Sequence, residues 1–251
     1  MKKVCFLTNL VFGLSLSTLG QALPVAGNIV QGDAQLKMGV EQLDIVQRSD
    51  FLHLQFDEFN IGSSEHVNFQ QPSASAIAIG EVLSSDPTQI AGQLSANGQL
   101  FILAPGGLVI HEGASIEAAS LFASTLKASS VAEGSIQFSS AGSSAGIENY
   151  GTINIQGGGF LQLLSTRISN FGDIENHQGQ VGFNVGESAM VRFNGELIAI
   201  ELQQAALDGI IENYGSIKAS AGDVVLQAKV RNQIHELVVN NQGDITAQTV
   251  Y

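Results

Sequence analysis

The sequence predicts an all-β solenoid, a stack of short-strand coils of about 20 residues each, and three observations predict it. Apolar and polar residues alternate with period two along much of the chain, a five-residue phrase recurs four times, and helical periodicity is nearly absent. Period two with β-branched and aromatic residues is the pattern of a half-buried strand. A unit of about 20 residues is too small to bury its own apolar face, so such units are obliged to stack.

At the amino terminus, Lys2 and Lys3 precede an apolar stretch from Val4 to Leu19, closed by Gly20-Gln21-Ala22. That is the pattern of a secretory signal with a small-residue cleavage site, so residues 1–22 are read as a removed leader. Thr8, Asn9, Ser15, Ser17 and Thr18 interrupt the apolar run, which is too short to span a bilayer comfortably. The single cysteine, Cys5, lies inside this leader. The mature chain 23–251 then has none, and its fold is expected to rest on burial and backbone pairing without disulfides.

The leader carries two of the ten basic residues and none of the 23 acids, which leaves the mature chain with a formal charge of −15. Nucleic acid and anionic lipid are poor partners for such a surface, because phosphate binding needs clustered Lys and Arg. No later apolar run reaches membrane-spanning length, so no stable membrane insertion is expected.

Strand alternation is plain at Leu52, Leu54 and Phe56, which interleave with His53, Gln55 and Asp57, and at Ile198, Ile200 and Leu202, which interleave with Ala199 and Glu201. The best helical candidate is 202–207, limited to about two turns by Gly195 and Gly209. The hairpin dipeptide Asn-Gly, of the kind a β-sandwich would need, occurs only at Asn97-Gly98 and Asn194-Gly195.

The recurring phrase is Asn-x-Gly-x-Ile, built on Asn149 and Gly151, Asn170 and Gly172, Asn213 and Gly215, and Asn241 and Gly243. Its spacings of 21, 43 and 28 residues read as one unit, about two units, and one unit with an insertion. Gly113-Ala-Ser-Ile116 and Gly134-Ser-Ile136 continue the series upstream. Glycine suits the positive φ of a sharp corner, Ile points inward from the next strand, and Asn bonds through its amide to the neighbouring coil. Stacked at one corner, such residues would form a ladder. About eleven coils, spaced about 4.8 Å apart, would make a rod of about 50 Å.

Between Phe56 and Leu126 lies a block with its own phrases: FNIG at Phe59 to Gly62, VNFQQPSAS at Val67 to Ser75, and DPTQIAGQLSANGQLFI from Asp86 to Ile102. In content and order this block resembles the amino-terminal secretion domain of two-partner secretion exoproteins, the family of filamentous haemagglutinins and haemolysin-like adhesins. The resemblance implies a right-handed parallel β-helix with an amino-terminal cap, here 23–54, followed by the motif region 55–126 and repeat coils 127–251. It implies a secreted, Gram-negative cell-surface protein, and as partners an outer-membrane β-barrel transporter with periplasmic domains and a receptor on a host or neighbouring cell. Transporter recognition or corner formation falls to Asn60, Asn68, Asn97, Gly98, Pro105, Gly106 and Gly107. Where the family usually has Asn-Pro-Asn-Gly, this chain has Ala104-Pro105-Gly106-Gly107, which suits a type II turn with Gly106 at i+2.

Chemistry is sparse, and neither an enzyme nor a cofactor is expected. Gly142-Ser-Ser144-Ala-Gly146 matches G-x-S-x-G, but a nucleophile elbow needs a strand before it and a helix after. The histidines at 53, 66, 111, 177 and 235 lack ligand spacing. A polysaccharide-active β-helix would need converging carboxylates; Asp173 and Asp244 share a repeat position but lie about three coils apart. A stand-alone surface-binding β-helix is the other reading to set against export.

Overall fold

The computed structural model describes residues 23–25, 27–194, 198–231 and 238–251. The expected leader, His235 and Gly195 lie outside them. Among the described residues every regular element is a strand, and the strands wind into a parallel β-helix with three faces.

Each face is a parallel sheet running along the stack, and each has its inward column. On the first face, Leu43, Val67, Leu94, Ile116, Ile153, Ile174, Ile217 and Ile245 stand one above the other in continuous register. On the second, Leu52, Ala78, Leu100, Leu121, Leu161, Val181, Val224 and Val250 do the same. The third face is made of the shorter strands Thr88–Ile90, Leu108–Ile110, Ile147–Asn149, Arg167–Asn170, Ile210–Asn213 and Val239–Asn241. These columns close one core from Leu23 to Val224, with Ile245 and Ala247 packed against its far end.

The first-face column has eight levels, so the stack spans about 34 Å at about 4.8 Å per level, and not the expected eleven coils. The shortfall has a specific cause. Strands Lys127–Ala132, Ser135–Ser139, Ser188–Phe193 and Ile198–Gln204 leave the helix and form a separate antiparallel sheet. The 43-residue interval is therefore one coil with an excursion, since Asn170 pairs directly with Asn213. Ile136 belongs to this outer sheet, opposite Val191, and not to the repeat column. The helical candidate 202–207 is extended, divided between Ile198–Gln204 and Ala206–Leu207. Asp173 and Asp244 are two levels apart, with Ser216 between them.

The outer sheet exists because the second face is apolar on both sides. Ile79, Phe101 and Phe122 point away from the helix interior in register and would meet water if left bare. The outer sheet covers them with Phe138, Val191, Phe193 and Leu202, forming a second core. Ring centroids lie 4.9 Å apart for Phe101 and Phe193 and 5.6 Å for Phe122 and Phe138, within the range of attractive aromatic packing. The first face needs no such cover, because its outward column runs Asp44, Asn68, Ser95, Glu117, Asn154, Glu175 and Lys218.

At the amino-terminal end, Ala34–Met38 pairs antiparallel with Gln42–Gln47, and Asn28–Gln31 pairs antiparallel with Phe51–Phe56. Gln42–Gln47 and Phe51–Phe56 themselves belong to the parallel stack.

Candidate recognition site at the coil corners

The corner between the third and first faces carries the repeat. Asn149 Nδ2 donates to Asn170 Oδ1, Asn170 Nδ2 to Asn213 Oδ1, and Asn213 Nδ2 to Asn241 Oδ1, each at 2.7 Å. Asn149, Asn170 and Asn213 are buried, so each amide is spared the cost of an unpaired polar group by the coil next to it.

The repeat glycines are not needed for φ. None of Gly151, Gly172, Gly215 and Gly243 has a positive φ, which corrects the expected reason for their presence. Coils approach so closely here that a Cβ on Gly172 would overlap the carbonyl oxygen of Gly151, and one on Gly215 or Gly243 that of the glycine one coil before.

The x position of the phrase was given no role by the sequence, yet Tyr150, Phe171 and Tyr214 stack with centroids 4.9 and 5.1 Å apart and planes within 9°. The signal was there: three of the four x residues are aromatic. Tyr150 donates its hydroxyl to Glu148 at 3.0 Å and Tyr214 to Glu212 at 3.1 Å. Partial burial, then the Glu148 bond, raises the Tyr150 phenol above its usual value.

The upstream candidates are each tied into the stack. Asn60 Oδ1 accepts from the Gln89 N–H at 2.9 Å. Asn68 donates to Asp44 at 3.0 Å and accepts from Ser95 Oγ at 2.9 Å. Gln42, Asn68 and Gln70 all donate to that one carboxylate and hold the Asp44 pKa below its usual value. Asn97 accepts from the Gln71 N–H at 2.6 Å and donates to the Gln71 carbonyl at 2.8 Å, so its side chain mimics a backbone pair across the coils. The Gly98 N–H is taken by Gln71 Oε1 at 2.9 Å. Asn97-Gly98 is no hairpin: the two residues sit inside Gln93–Leu103, where two residues face one on the next coil and the chain bends from first face to second.

At the Pro105 turn the Gly107 N–H donates to the Ala104 carbonyl at 3.0 Å. The positive φ, 121°, falls on Gly107 and not on Gly106, so the expected type II geometry, which places it at i+2, is not formed. A Cβ on Gly106 would overlap the backbone carbonyls of Ser85 and Asp86. Pro105 and Gly106 edge a cleft of about 380 Å³, with Glu81, Leu83 and Lys127 also in its wall. There His53 Nε2 and Gln55 Nε2 both lie 2.9 Å from Glu81 Oε2. The His53 bond, followed by that from Gln55, keeps the Glu81 carboxyl below its usual pKa despite burial. Sequence reading missed this group because its members lie 26 and 28 residues apart.

The G-x-S-x-G segment follows Ser135–Ser139 and leads into the strand Ile147–Asn149, with no helix after it. Among the described residues no three His, Cys, Asp or Glu side chains are placed to hold a metal ion, and no helix is long and apolar enough to cross a membrane.

The TPS secretion domain family model matches residues 21–251. Two curated relatives from Haemophilus influenzae, each named heme/hemopexin-binding protein, are 29% identical over 220 and 237 residues. The match takes in 84% and 85% of this chain but only 24% and 25% of theirs, so the chain spans about a quarter of their length. Among solved structures, the HMW1 secretion domain from Haemophilus influenzae superposes with a TM-score of 0.73 at 23% identity, covering 91% of this chain and 60% of that one. The filamentous hemagglutinin secretion domain gives 0.56 at 15% identity, covering 92% and 96%. These two likenesses establish the fold, and the family match across residues 21–251 establishes the rest: the chain belongs to the two-partner secretion (TPS) domain family.

Proposed function

We propose that this chain is the export module of a secreted, adhesin-like exoprotein, delivered to the periplasm by the leader 1–22 and recognised there by the periplasmic domains of an outer-membrane β-barrel. The observation that carries this reading is the family match over residues 21–251. The coil architecture supports it: each inward column is built from neighbouring coils, linked by apolar packing, side-chain ladders and backbone pairing. Such a chain can pass a pore extended and gain its contacts coil by coil outside.

The antiparallel strands Asn28–Gln31 and Ala34–Met38 are proposed to be the working part of the 23–54 cap, shielding the first coil's edge. Of the recognition candidates, Asn60, Asn97 and Gly98 are so tied to neighbouring backbone that corner formation is their proposed role. Pro105, Gly106 and Gly107, whose turn closes through the local Gly107 N–H to Ala104 carbonyl bond, are the proposed contact for the transporter. The role is binding and not catalysis, in keeping with the relatives' names. Those names make heme and hemopexin the first ligands to test.

The test is secretion of the mature chain into medium with and without a co-expressed cognate barrel, comparing wild type, Asn97→Ala and Pro105→Ala. Transporter-dependent release is expected. Pro105→Ala should lower release while the purified protein still folds, and Asn97→Ala should lower folding and release together. Periplasmic retention in every case would refute the export reading.

A further inference from the structure

Among the described residues, the outer sheet leaves Lys127–Ala132 unpaired on one side, since that strand pairs there only with Ser135–Ser139. Its two ends lie over two ends of Ile77–Val82. Lys127 and Ala128 share a cleft with Glu81 and Val82, and Glu133, just past the strand, shares another with Ile77. The first half of this edge is guarded by Lys127 and by a bulge at Ser129, both devices that discourage strand addition. The second half, 130–132, has neither guard.

Beside the unguarded half lies a cleft of about 490 Å³. Phe51, Ile77 and Phe193 supply its apolar lining, and Asp50 and Glu133 stand at its rim. Both carboxylates are exposed, and neither is hydrogen-bonded or ion-paired to another described residue. Unlike Glu81, Glu187 or Glu201, which each have a cation or histidine beside them, they are uncompensated.

We propose that this edge and cleft form a docking site for an extended, basic strand of a partner protein. Its backbone adds to the free edge of 130–132, and a Lys or Arg lays its aliphatic stem over Phe51 and Ile77 with its cation between Asp50 and Glu133. Strand addition supplies unpaired backbone groups with partners, and a long cationic side chain covers apolar surface while its head stays at the charged rim. Charge selects this occupant: a second copy of so acidic a chain is repelled, and an acidic strand would meet Asp50 and Glu133. The site exists only after folding, so it is separate from recognition of an extended chain during export.

The probe is a fluorescein-labelled hexapeptide of alternating lysine and valine, titrated by anisotropy against the purified mature chain, with a glutamate-valine peptide and a backbone N-methylated lysine-valine peptide as comparators. Saturable binding of the first alone is expected, weakened by salt and by about tenfold or more in the Asp50→Lys/Glu133→Lys double variant. Both substitutions are at exposed positions, and circular dichroism checks that the variant is folded. Undiminished binding to the double variant, equal binding of the N-methylated peptide, or no binding at all overturns the proposal. So does sedimentation showing a dimer that Lys127→Glu dissolves, which would assign the edge to a second copy.

Discussion

Replacing Asn170 with alanine isolates the energetics of the ladder. Asn170 is 1% exposed and is an inner rung, accepting from Asn149 and donating to Asn213. Its removal strands two buried groups, Asn149 Nδ2 and Asn213 Oδ1. The Gly172 carbonyl, also contacted by Asn170, keeps the Ser216 N–H at 3.0 Å. At about 1–3 kcal/mol for each stranded group, the expected loss is about 4 kcal/mol. That corresponds to a fall in Tm of about 8–16 °C for a chain of this size. Asn241 is the comparison, because it is exposed and its loss deprives one group, Asn213 Nδ2, which keeps the Gly215 carbonyl at 3.5 Å, so Asn241→Ala is expected to cost about 1 kcal/mol. Urea unfolding followed by circular dichroism measures both. Equal losses for the two variants, or a loss below about 1 kcal/mol for Asn170→Ala, would refute the claim that the ladder's value lies in sparing buried amides.

Three further outcomes follow from the same geometry. Gly172→Ala should destabilise by about 3 kcal/mol, because its Cβ meets the Gly151 carbonyl, whereas Gly157→Ala, with open space around it and a φ of 68°, should cost about 1–2 kcal/mol; chemical denaturation of the pair separates close approach from backbone strain. Phe171→Ala breaks two ring stacks and should cost about 1–3 kcal/mol by the same assay, with Tyr150→Ala, which breaks one, costing less. Glu81 has a folded-state pKa depressed by His53 and Gln55, so its contribution is complete above the unfolded value near 4.5 and is lost as pH falls below it. Thermal melts across pH should show Glu81→Gln with a shallower acid limb than wild type, and identical limbs would remove Glu81 from the account of acid stability.

What the sequence made legible was local and periodic. The alternation at 52–56 marks a strand because side chains on a pleated backbone switch faces, and the Asn-x-Gly-x-Ile phrase marks a corner because one corner must be rebuilt in each coil. Counting coils fails where every stretch of about 20 residues is taken as a coil and Gly134-Ser-Ile136 is taken as part of the series. Ile136 follows Gly-Ser as Ile116 follows Ala-Ser, yet one packs in the outer sheet and the other in the helix. Period two shows that a strand has an apolar side and is silent on which core receives it. The glycines show the same limit: glycine is needed both for positive φ and for close backbone approach, and only the neighbouring coil decides which. Asn97 was singled out, but its partner Gln71 lies 26 residues away and belongs to another coil. The Glu81 group and the uncompensated Asp50 and Glu133 are invisible for the same reason, being assembled by stacking.

Stacked aliphatic levels pose a problem of register, since one Ile or Leu level fits on another almost anywhere along the rod. The third face resolves it by changing composition partway. At the corner position the upper levels are Ile90 and Ile110, and from the next level down they are Asn149, Asn170, Asn213 and Asn241. The native stack has one Asn-on-Ile junction, Asn149 against Ile110, where Asn149 Oδ1 takes the Gly151 N–H; a coil displaced by one level would break a rung elsewhere and bury an unpaired amide, a penalty of about 1–3 kcal/mol. The second face adds an independent mark: the outer sheet closes only over levels that present Ile79, Phe101 and Phe122 outward. The ladder and the outer sheet therefore do for residues 23–251, which contain no cysteine, what disulfides do in small exported domains, specifying which segments are neighbours. Both do so through contacts that form only when neighbouring coils are in place, which a chain exported in an extended state can leave until it is outside.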